Sequence, residues 1–167
     1  MALMNIVAQW LHVLLGIFWF GSTLYADFIL MPAISAMPPA MQREVGMRVG
    51  TLSVRIIEPV AMLVIVFGIL LGTVFGPIQT FDALSTIYGA TWLAALVATI
   101  GVFLWGKFVL SRNIERVNAI GAALSDEDIK MSPAFAAAFA RVRSSAMMEL
   151  LGFVVVFTCM ILMHFDL

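Results

Sequence analysis

His12 and His164 are the only two imidazoles in a chain of 167 residues whose composition is otherwise mostly apolar. His12 shares a stripe with Asn5, Gln9, Gly16, Trp19, Thr23 and Ala26, at spacings that alternate between four and three residues. On a helix that spacing stacks all of them on one face. The intervening residues are largely Leu, Ile, Val and Phe, so the polar stripe points at other helices and the remainder at acyl chains. Two imidazoles at one membrane face on neighbouring helices would suit axial ligation of a haem iron. Gly16, one turn from His12, would leave room for a porphyrin face, and Trp19 would pack its edge. The plainer alternative is a buried His12 hydrogen-bonded to Gln9 or Asn5, with His164 simply interfacial.

Two further sets of residues carry chemistry. Met160, Met163 and His164 fall on nearly one helical face near the C-terminus, and soft thioether and imidazole ligands select Cu(I). Against a copper site stands the count of twelve methionines, since methionine is an ordinary filler of apolar helices. The other set is ionisable. Asp27, Glu58 and Glu149 are predicted to lie at one depth on three helices, with Arg55 and Lys107 beside them. Ionisable groups inside a membrane are costly and normally paired, so they read either as an ion-pair layer or as a proton or substrate path. Three acids against two bases leave one carboxylate over. One acid is therefore expected to carry a proton at neutral pH, and Glu149 is expected to be that one, because it has no basic residue within two turns on its membrane side and Arg141 and Arg143 lie beyond it towards water.

The elements that must position these residues follow from composition. With 63% hydrophobic residues, 11% charged and a mean hydropathy of +1.07, the chain reads as an integral membrane protein. Apolar segments at about 5–31, 54–76, 88–111 and 144–165 each exceed the roughly 20 residues needed to cross the hydrocarbon core. No Lys or Arg precedes the first of them, so a cleaved secretory signal is not expected. Pro32 and Pro38-Pro39 are predicted to close the first helix, and residues 41–54 to form a separate amphipathic helix outside the core. Gly68-x-x-x-Gly72 signals close helix contact, and Gly76-Pro77 ends the second span. The third span is predicted to continue as a polar helix to about Leu124, with a turn at Ser125-Asp126-Glu127-Asp128. Ser132 is a good N-cap with proline after it, so the last helix should begin at Pro133 and run to about Phe165. The segment 112–143 would then project beyond the bilayer as a hairpin.

All nine Lys and Arg lie in or beside the first-to-second and third-to-fourth connections. The positive-inside rule places those connections in the cytoplasm and both termini outside. The predicted fold is all-α, a single up-down-up-down transmembrane four-helix bundle over residues 1–167. Lone Cys159 excludes a disulfide within the chain and a Cys-only metal site. There is no phosphate loop, no HExxH, no C-x-x-C-H and no Gly-x-Ser-x-Gly. The basic residues do what orientation requires, so nucleic-acid binding is not indicated.

The pattern His12-x6-Trp19-x-Gly21 resembles the opening helix of several related bacterial membrane families. They include the CopD-type copper-resistance proteins, the HemJ-type protoporphyrinogen oxidases and the membrane domain of one class of urate oxidases. The resemblance covers the first span. It implies a small helical bundle of the bacterial cytoplasmic membrane in which His12 is a candidate ligand for haem b or copper. Residues and resemblance together favour a cytochrome b-like protein with haem b between His12 and His164, serving electron transfer. The alternatives are copper handling, or a cofactor-free accessory subunit docking on another membrane subunit or a redox partner. A homo-oligomer is compatible with each.

Overall fold

The computed structural model describes residues 2–125, 127–128 and 132–165, without the side chains at 39, 40, 43, 47, 51, 54 and 164. Asp126, Lys130 and the His164 imidazole therefore lie outside the described residues. Every regular element among the described residues is helical. Four long helices dominate: α1 (Ala2–Ser35), α2 (Pro39–Gly72), α3 (Ile87–Ala123) and α4 (Pro133–His164). Each is long and apolar enough to cross a membrane, which makes this a multi-pass membrane protein. No more than 22% of the apolar stretch of any of them is buried by the chain itself, so lipid covers most of that surface.

Local chemistry sets several helix ends. Thr86 opens α3, its hydroxyl accepting from the Gly89 N–H at 3.0 Å. Ser132 caps α4 as expected, accepting from the Phe135 N–H at 3.2 Å, with Pro133 in the first turn. Beyond the apolar stretch, α3 and α4 stay packed against each other. The Phe135 ring stands 3.4 Å from where a Cβ on Gly121 would sit.

Elsewhere the helices differ from the expectation. Residues 41–54 are no separate element: α2 is one helix of 34 residues that passes through Pro59. Nothing between 40 and 58 breaks the helix, and at 1.5 Å per residue it spans about 51 Å, more than the hydrocarbon core. It ends at Gly72, short of Gly76-Pro77, because the chain tightens at once, with the Phe75 N–H donating to Leu70 O at 2.9 Å. Pro32 does not end α1, which runs to Ser35. A π-helical turn at Ala26–Leu30 lies just before it and gives the proline ring room where a carbonyl has lost its donor. A second π turn, Gly106–Leu110, sits in α3.

The helices pack chiefly as α1 on α2 and α3 on α4. Trp19, Ala61, Val64, Val102, Phe153 and Val156, drawn from all four helices, form the core at mid-height. Trp19 meets Phe153 edge-on with centroids 5.0 Å apart, and Phe20 meets Phe157 at 4.7 Å. The predicted small-residue pair in α2 is a groove holding two side chains: the His12 ring lies over Gly68 and the Trp92 indole fills the space beside Gly72. The indole N–H donates to Gly68 O at 3.3 Å.

Candidate functional site

The two ends of the bundle hold different kinds of residue. Towards the N-terminus and the α2–α3 turn, half-buried His12 places Nδ1 3.0 Å from the backbone oxygen of Val64. A carbonyl can only accept, so Nδ1 carries the hydrogen and Nε2 keeps its lone pair. Neither Gln9 nor Asn5 is the partner, and both are exposed. His12 faces α2, its Cε1 3.1 Å from the position of a Cβ on Gly68. A Cβ on Gly16 would meet no atom within 4 Å, so that face is open. Trp19 is only 3% exposed and belongs to the core. Met160 packs against that core and Met163 is half-buried. Among the described residues, no three His, Cys, Asp or Glu side chains come together as a metal site.

The opposite end, where α1 runs into α2 and α3 into α4, is hollow. A cavity of about 860 Å³ opens between all four helices. Its wall is mostly apolar, with Phe18, Trp19, Ile34, Ile57, Phe103 and Phe139 among its residues. Small residues create the space. Gly46, Gly50 and Ser53 follow one another at steps of four and three along α2, and a Cβ on Gly46 or Gly50 would meet nothing within 4 Å.

Four of the five ionisable residues picked out in the sequence line this cavity: Asp27, Glu58, Lys107 and Glu149. Arg55 is exposed and not part of the wall. Lys107 Nζ donates to Glu58 Oε2 at 3.0 Å, with the two side chains 38% and 33% exposed, so these charges cancel. The ammonium also lies 5.8 Å from the centroid of the Phe103 ring. The other two acids have no such partner. Asp27 Oδ2 is buried without a hydrogen bond. Glu149 is 7% exposed and makes no hydrogen bond among the described residues. Its Oε1 occupies the space left by the missing side chain of Gly106, 3.0 Å from where a Cβ would stand. Asp27 acts on it as a like charge.

Both π turns serve this wall. Ala26–Leu30 presents Asp27, and Gly106–Leu110 presents Lys107 and the glycine that seats Glu149. Such turns add a residue to the helical repeat, re-aim the side chains around them and recur at functional sites. Sequence reasoning missed both turns and the cavity. The run Gly46, Gly50, Ser53, a stripe of small residues with no helix partner assigned to it, was the signal that pointed there.

No protein-family model, curated protein or solved structure matches this chain.

Proposed function

We propose that the protein is an up-down-up-down bundle of the bacterial cytoplasmic membrane, termini outside, that binds a small ligand in the cavity at its cytoplasmic end. The topology is supported by partners that run in opposite order along neighbouring helices: Glu58 with Lys107 and Gly72 with Trp92. The placement of all nine basic residues supports the orientation. Reporter fusions at Asp82 and the C-terminus should read outside, and fusions near Asp126 inside.

One observation carries the functional reading: Glu149 is buried, faces a cavity of about 860 Å³, and has no partner among the described residues. An uncompensated carboxylate in apolar surroundings costs several kcal/mol, so Glu149 takes up a proton or is completed by a group from outside the chain. The volume lies within the range of roughly 300–1,000 Å³ usual for small-molecule sites, and the wall has their usual form, apolar with a few polar groups. Native mass spectrometry on protein extracted from its own membranes should find a retained small molecule. Gly50→Phe, whose ring enters the open space and obstructs the cavity, should lose it. A retained molecule that ignores this plug would place the ligand elsewhere.

A second reading concerns the other end. Ligating histidines normally donate their second ring N–H to a carbonyl or carboxylate, which fixes the tautomer and raises the basicity of the ligand nitrogen. His12 has that anchor in Val64 O, and Gly16 beside it is open. This favours His12 as an axial ligand of haem b, or as a copper ligand, with electron transfer as the activity. An iron porphyrin held there would supply a one-electron couple. Oxidised and reduced absorption spectra decide it: Soret and alpha bands abolished or shifted in His12→Ala support haem, and a colourless preparation from haem-replete cells excludes it.

A further inference from the structure

Charge balance in the cavity defines the ligand more closely, on the reading that the cavity is the ligand site. Among the described residues four acidic or basic side chains line it, one from each helix. Lys107 and Glu58 neutralise one another at 3.0 Å. Asp27 and Glu149 remain, both acidic, and among the described residues no basic side chain other than Lys107 lies on the wall to answer them. The remainder of the surface is aliphatic and aromatic.

Each simple occupant satisfies only part of this arrangement. An anion would meet two carboxylates. A neutral molecule or an acyl chain would fill the volume and leave Glu149 uncompensated. A proton would neutralise Glu149 and leave about 860 Å³ empty. A hard metal ion would complete its six or more oxygen ligands with water and would leave the aliphatic and aromatic wall unused. We infer that the cavity binds a lipophilic organic cation, its charge set between Asp27 and Glu149 and its apolar body against the rings of Phe18, Trp19, Phe103 and Phe139. Aromatic faces add cation–π attraction to that arrangement. Glu149, the more deeply buried acid, contributes most of the charge recognition, because its charge is least screened by solvent.

Tetraphenylphosphonium and tetraphenylborate have one shape and opposite charge, so they separate charge recognition from shape. The full-length protein in detergent, assayed by equilibrium dialysis, should bind the phosphonium at about one per chain. It should prefer it to the borate by at least about tenfold, roughly 1.4 kcal/mol of charge discrimination. Glu149→Gln should weaken phosphonium binding by about tenfold or more and Asp27→Asn by less, with the preference shrinking in step. Glu149→Gln breaks no ion pair, so its size-exclusion profile should match that of the wild type. Asp27→Asn gives an independent reading should it not. Gly50→Phe should abolish binding of both ions. Equal binding of both ions that Gly50→Phe removes would overturn the cation assignment while leaving the cavity as the site. Phosphonium binding that both acid variants leave unchanged would overturn it as well. Failure of both ions to bind, with a native ligand retained, would refute the cation class alone.

Discussion

The glycines of α2 divide this bundle into two unlike halves. Gly68 and Gly72 are covered, one by the His12 ring and the other by the Trp92 indole, so the absent side chains are replaced by side chains from α1 and α3. Gly46 and Gly50 face open space, and the same absence there produces a cavity. The polar groups divide in the same way. His12 and Trp92 both spend their N–H groups on backbone oxygens of α2, whereas Asp27 Oδ2 and Glu149 at the hollow end have no partner among the described residues. Small residues have no fixed meaning in a membrane helix. They bring helices together where a large side chain fills the gap from across the interface, and they make room where none does.

The largest effect expected from this contrast is at the closed half. In Gly72→Ala the new methyl would run into the Trp92 indole, which must swing away and give up its hydrogen bond to Gly68 O. Overpacking with the loss of that bond should cost about 2–3 kcal/mol, measured as a lower midpoint in thermal or SDS unfolding. His12→Ala comes next. It removes one hydrogen bond to a helix carbonyl and leaves a gap above Gly68, for a loss of about 1–2 kcal/mol. An unchanged midpoint in both variants would mean that the closed half is not closed in the membrane, and the contrast with the hollow half would vanish.

Much of this arrangement was legible in the sequence where the cause is local. The four spans follow from length and hydropathy, the start of α4 from the hydroxyl and proline of Ser132-Pro133, and the continuation of α3 from the absence of any breaker after Arg112. The grouping of Asp27, Glu58, Lys107 and Glu149 was legible too, since those four residues line one cavity. What depends on side chains from several helices was hidden. Helix spacing fixes the height of Arg55 but does not show that it lies off the wall, so two acids rather than one are left over. The partner of His12 was equally hidden, because it is a backbone oxygen of Val64 and a carbonyl is present at every position. The cavity is a sum of volumes across four helices, visible beforehand only as the small-residue stripe of Gly46, Gly50 and Ser53. The π turns belong to the same class, since proline at 32 marks strain but not how the helix relieves it.

The smallest effect sharpens the comparison most, because its sign is opposite. Gly50 lies inside a helix, where glycine costs about 0.5–1 kcal/mol relative to alanine through the backbone freedom it loses on folding. At Gly72 that gain is overwhelmed by the collision with Trp92. At Gly50 the methyl meets nothing within 4 Å, so Gly50→Ala should raise the unfolding midpoint by an amount worth about 0.5 kcal/mol. The same methyl protrudes into the cavity and should weaken a ligand bound there by a few-fold at most, since most of the volume remains. Higher stability with weaker binding is the signature of a void kept open for its contents at a small cost in folding free energy. Stability that falls in Gly50→Ala would mean that another surface packs against α2 at this point in the membrane. The hollow end would then be closed, and the two halves of α2 would be built alike.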